Sequence, residues 1–79
     1  MTKTEKIIKD ILKKYAFNKS LIKDAGSNAN MVNDLKINSA RIVDIVLDIE
    51  DAFEIEIDNQ SLAKIKTIND LAEIIDADT

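Results

Sequence analysis

The stretch Asp34-Leu-Lys-Ile-Asn-Ser-Ala-Arg41 opens the longest apolar helical pattern in the chain and puts Ser39 at the first turn of a helix. There the unpaired amide N–H groups and the positive end of the helix dipole favour a negatively charged phosphodiester, so the Ser39 hydroxyl is well placed to carry a covalent phosphate-linked group. A serine at a helix start also serves as a plain N-cap with no further role, and position alone leaves both readings open. Other chemistry is scarce. The chain has no histidine and no cysteine, which removes the imidazole base, the thiolate nucleophile and the thiolate metal site. Asp48, Glu50 and Asp51 fall on a helix surface facing water, where nothing desolvates them for acid–base work. No segment carries the glycine-containing oxygen-ligand loop of an EF-hand. The expectation is a protein without catalytic residues or a metal, hence not an enzyme.

The elements that position Ser39 follow from periodicity. Thr2 and Glu5 stand in capping-box spacing before a first helix whose stripe is Ile7, Ile8, Ile11, Leu12 and Tyr15. Lys6, Lys9, Lys13 and Lys14 fall mostly outside that stripe. This helix runs to between Ala16 and Asn18, with Ser20-Leu21-Ile22 as a ragged extra turn. From Asn18 to Asn38 no period survives, giving a loop of about twenty residues, a length that is usually functional or disordered. Residues 24–30 are turn formers, while Leu21, Ile22, Met31, Val32, Leu35 and Ile37 argue that the loop packs across the protein.

A second helix starts at Asn38 or Ser39, either of which can cap it, and reaches about Phe53. Its apolar residues Ile42, Val43, Ile45, Val46, Leu47, Ile49, Ala52 and Phe53 cover an arc of about 220°, wider than an ordinary amphipathic stripe. Such a helix is expected to be central and covered on most sides. Glu54 to Asp58 alternates with period two and reads as an extended connection pinned by Ile55 and Ile57. Asn59 to Lys64 forms a short helical turn with Leu62 inward. Thr67 caps a last helix striped by Ile68, Leu71, Ala72, Ile74 and Ile75. The fold class is all-α: a small four-helix bundle of three main helices and one short one, with a long loop between helices one and two.

The 79 residues make one domain, 1–79, since a second could not build its own core. The absence of cysteine fits a reducing compartment. The N-terminus lacks the apolar stretch of a signal peptide, and no segment approaches a membrane span, so the expectation is a cytoplasmic monomer without membrane insertion. The net charge of −4 hides an asymmetry. Residues 1–23 hold seven lysines against two acids, whereas Ile42 to Asp58 holds seven acids and no base. Phosphates would be repelled by that surface, which argues against nucleic acid. Basic protein partners complement it, although an acidic helix face also serves solubility alone.

The run from Leu35 to Phe53, Leu-Lys-Ile-Asn-Ser-Ala-Arg-Ile-Val-Asp-Ile-Val-Leu-Asp-Ile-Glu-Asp-Ala-Phe, resembles the signature of acyl carrier proteins. In that family an Asp-Leu-Gly-x-Asp-Ser-Leu stretch precedes a helix ending in acids and a phenylalanine. Glu56-Ile57, the Ile65 to Thr67 junction, the Ile-rich last helix, the opening helix and the long loop fall at the family's spacing. The resemblance implies that Ser39 is the attachment point of 4′-phosphopantetheine, whose thiol holds an acyl group as a thioester, with Asn38 capping the helix beside it. It also implies a phosphopantetheinyl transferase as one partner. Acyl-handling enzymes with basic patches are others, in a fatty-acid, lipid or polyketide-type pathway, met through Asp44, Glu50 and Asp51 together with Ala40 and Arg41. Val43, Leu47, Ile68 and Leu71 are candidates to line a pocket for the acyl chain.

Four positions depart from the family pattern. Lys36 stands for glycine, Asn38 for aspartate, Ala40 for leucine and Arg41 for an acid. They alter the surface a partner reads and spare the core, which points to a specialised pathway. Two other readings remain: a peptidyl or D-alanyl carrier, and a helical adaptor in which Ser39 merely caps.

Overall fold

The computed structural model describes residues 3–78, and among them the regular structure is helical apart from a single β-bridge. Helix α1 spans Lys3–Lys13, α2 Lys19–Lys23, α3 Ile42–Phe53, α4 Asn59–Lys64 and α5 Ile68–Asp78, with a 3-10 turn at Ser39–Arg41 leading into α3. The all-α bundle with three long helices agrees with the sequence reading, and α4 is the expected short helix. The proposed capping residue Thr2 lies outside the described residues.

Helix α1 ends earlier than its apolar stripe suggests. Its last turn tightens, with Lys14 N–H donating to the Ile11 carbonyl at 3.1 Å and Tyr15 N–H to Leu12 at 3.0 Å. That swings Tyr15 toward α3, where its hydroxyl donates to Asp48 Oδ2 at 2.6 Å. Ser20-Leu21-Ile22 belongs to the separate helix α2, not to a ragged end of α1. Asn18 starts α2 by accepting from Ser20 N–H at 3.0 Å, and Ile22 is fully buried beneath it. Lys9, read from periodicity as a surface lysine, is only 6% exposed. Its long stem packs in the interior and its ammonium donates to the Ala25 carbonyl, tying α1 to the loop after α2.

The remaining loop is fastened through residues 27–31 to the start of α5. Asn30 pairs antiparallel with Thr67, Met31 N–H donates to the Lys66 carbonyl at 2.9 Å, and Asn69 N–H donates to Ser27 at 2.8 Å. Met31, Leu35 and Ile37 enter the core as expected, whereas Leu21 and Val32 stay on the surface. Ile55 is buried and Ile57 half-buried along the extended connection, as its period-two pattern predicts. Thr67 and Asp70 cap α5 reciprocally: the Asp70 N–H donates to Thr67 Oγ1 at 3.1 Å, and the Thr67 N–H to Asp70 Oδ2 at 3.0 Å. Ile68 and Leu71 are completely buried, and α1 packs more extensively on α5 than on any other helix.

The expectation that α3 is covered on most sides is not met. Ile45, Val46 and Ile49 face the core, but Val43 is 53% exposed and Leu47 56% exposed, and Ala52 also faces water. Too few elements surround α3 to bury a 220° arc, since α1 covers one side and the short α4 cannot cover the other.

Candidate functional site

The approach to Ser39 is built from buried anchors and one strained residue. Leu35 and Ile37 are each 2% exposed, and Ile37 N–H donates to the Met31 carbonyl at 3.0 Å. Between them Lys36 adopts φ 57, a left-handed conformation that favours glycine. The two anchors leave the intervening residue no extended path, which is the physical reason a glycine suits this place. Asn38 is extended and is the cap: its side-chain oxygen accepts from Ala40 N–H at 2.9 Å. Its own carbonyl accepts from Arg41 N–H at 2.8 Å.

Capping by Asn38 leaves the Ser39 hydroxyl exposed and unneeded for the helix start. Of the two readings the sequence left open, plain capping by Ser39 is the one this geometry does not support. The Ser39 carbonyl accepts from Ile42 N–H, so the serine is held by its backbone while its side chain stays accessible. It stands at the positive end of a twelve-residue helix. An open cleft of about 190 Å³ lies beside this turn, lined in part by Met31, Val32, Ile42 and Ile65. Sequence reasoning missed this cleft.

The other expected site residues separate into four groups. Ala40 and Asp51 are exposed beside or along α3. Arg41 and Asp44 pair with each other at 3.2 Å across one turn, so the departure at position 41 partly masks the first acid of the face. Glu50 has a task within the fold: its carboxylate accepts from Ile57 N–H at 2.8 Å and fastens the extended connection. The four pocket candidates do not converge. Ile68 and Leu71 are core, while Val43 and Leu47 stand outside it on the solvent face of α3.

Asp48 also departs from its reading as a plain surface acid. The Tyr15 hydroxyl donates to it, and Lys14 lies 3.5 Å away. The Tyr15 hydrogen bond, helped by Lys14, holds the Asp48 carboxyl below the usual carboxylate range, and the same bond pushes the Tyr15 phenol up. Among the described residues no group of three carboxylates is arranged to hold a metal, and no helix is long and apolar enough to cross a membrane.

The structure is thus a small helical domain that presents a backbone-held, solvent-facing serine just before a twelve-residue helix. The family model described as phosphopantetheine attachment site matches residues 6–75, and the chain belongs to that family. Members bind 4′-phosphopantetheine covalently on a serine. No curated protein matches the chain.

Proposed function

We propose that the chain is an acyl carrier protein with Ser39 as its sole attachment serine. The observation that carries the reading is the exposed Ser39 hydroxyl, freed from capping by Asn38 and set before the apolar, acidic surface of α3. The residues present fit the group. The start of α3 is favourable to a phosphodiester, and the open cleft beside it mixes apolar Met31, Val32, Ile42 and Ile65 with polar Asn30, Asn33 and Lys66, a lining that suits an arm with amide groups. When attached, the arm supplies a terminal thiol that holds cargo as a thioester. The chain itself then needs no catalytic residue, in keeping with a carrier rather than an enzyme.

Val43 and Leu47 supply apolar contacts to partner enzymes rather than an interior pocket, with Asp44 and Asp51 beside them meeting basic patches. Glu50 contributes charge as well as its bond to Ile57, so its reversal combines two effects. The partners are a phosphopantetheinyl transferase and the acyl-handling enzymes of a fatty-acid, lipid or polyketide-type route in the cytoplasm. Lys36, Asn38, Ala40 and Arg41 set the protein apart from a general fatty-acid carrier and support a specialised route.

Co-expression with a broad-specificity phosphopantetheinyl transferase should add one phosphopantetheinyl group by intact mass. Ser39→Ala should abolish the gain while costing about 1 kcal/mol or less of stability, because Asn38 is the cap. An unmodified wild-type chain, or an arm on another serine, overturns the assignment. The mass of cargo on holo protein separates acyl from aminoacyl loading.

A further inference from the structure

A second surface, made of other residues than Ser39 and the exposed apolar positions of α3, lies at the end of α1 and on α2, and Asp48 of α3 meets its edge through Tyr15 and Lys14. Phe17 is 98% exposed, the most exposed of the large apolar side chains, and Leu21 is 36% exposed. Ile22, fully buried, presses α2 onto the core and fixes the placement of its neighbours. Residues 13–29 hold four lysines, Lys13, Lys14, Lys19 and Lys23, against one acid, Asp24. Lys14 is drawn to Asp48 at 3.5 Å. Among the described residues, Lys13, Lys19 and Lys23 enter no ion pair. Lys19 and Lys23, four residues apart, share one side of α2.

An aromatic side chain standing wholly in water and flanked by lysines suits an anionic surface with an apolar layer beneath its charges. The lysines reach the phosphates while the ring passes between headgroups. We propose that the Phe17–α2 surface binds anionic lipid bilayers peripherally. A protein partner would need an acidic pocket shaped to Phe17. A bilayer needs only depth, which suits a single ring protruding next to a five-residue helix. The seven acids between Ile42 and Asp58 are repelled by the same bilayer, which favours approach by the lysine-bearing α2 side. The attachment is weak, reversible and sensitive to salt. It does not depend on the arm at Ser39 and is testable on the unmodified chain.

The sequence contains no tryptophan, so Phe17→Trp gives a single fluorescent reporter. Its emission should shift to the blue with phosphatidylcholine vesicles containing phosphatidylglycerol. It should stay put with phosphatidylcholine alone and revert at high salt. In co-sedimentation of the wild-type chain with the mixed vesicles, the Lys19→Glu/Lys23→Glu double variant should lower the partition coefficient by about 25-fold or more, each lysine being worth about fivefold. Phe17→Ser should lower it by about fivefold or more. All these positions are exposed, and matching thermal unfolding curves would show the variants folded. No binding of the wild-type chain to the anionic vesicles overturns the proposal. So does equal binding to neutral vesicles, or binding that the variants leave unchanged.

Discussion

Helices α3 and α5 are built from nearly the same residues, yet they use them in opposite ways. Both are rich in isoleucine and aspartate, and they run for twelve and eleven residues. Helix α5 buries Ile68, Leu71 and Ile75 almost completely and starts from a reciprocal Thr67–Asp70 cap. Helix α3 leaves Val43 and Leu47 more than half exposed, starts through a 3-10 turn, and is bracketed by two non-glycine residues of positive φ, Lys36 and Glu54. The buried stripe of α5 and its N-terminal cap have their partners inside the fold. Helix α3 carries apolar surface that folding does not bury. On the proposed reading, that surplus is the surface partner enzymes meet.

The largest effect that tests this contrast is truncation of matched leucines. Leu71→Ala should lower unfolding free energy by about 2–5 kcal/mol, whereas Leu47→Ala should cost less than about 0.5 kcal/mol. Urea titration of the two variants decides. A comparable loss at Leu47 would mean that α3 is covered in solution and the contrast is void.

Next comes the cap of α5. Burial pushes the Asp70 carboxyl up, but the N–H groups of Lys66 and Thr67 outweigh it and hold the carboxyl below the usual carboxylate range. A lowered folded value contributes stability that is present above the unfolded carboxylate value of about 3.9 and lost as pH falls through the lower folded value. Asp70→Ala should cost about 1 kcal/mol at neutral pH. Part of the acid limb of the stability profile should flatten with it. An acid limb identical to wild type would show that the cap is not charged in its effect.

Strain around α3 predicts gains instead of losses. Lys36→Gly and Glu54→Gly should each stabilise by about 0.5–1 kcal/mol, since glycine adopts positive φ without steric cost and loses only part of the gain to its freer unfolded chain. Thermal unfolding reads the sign, and destabilisation by both would contradict the strain. The smallest effect belongs to the Arg41–Asp44 pair. Arg41→Ala should change stability by less than about 0.5 kcal/mol, because both side chains are largely solvated. The same change should speed association with a basic partner, measured by stopped flow at low salt, because it unmasks Asp44.

Much of the fold was legible because small helices announce themselves by period and cap. The α5 stripe, its Thr67 start, the short α4 and the extended Ile55–Ile57 segment all follow from local pattern. Ser39 at a helix start was readable too, while local pattern left the cap open between Asn38 and Ser39 and the structure gave it to Asn38. Helix α2 was missed because five residues show too little periodicity to separate from an irregular loop.

What the sequence by itself determined is therefore the local layer: which segments are helical, where they begin, that no histidine or cysteine exists to do chemistry, and that acids crowd one stretch and lysines another. The tertiary structure alone decided which apolar residues are core. It took Lys9 inside to meet Ala25, gave Asp48 to Tyr15 and Glu50 to Ile57, and left Val43, Leu47 and Phe17 in water. The reason is physical. Periodicity tells how wide an apolar face is, but burial depends on how many other elements reach it, and in a domain this small there are too few to cover every face.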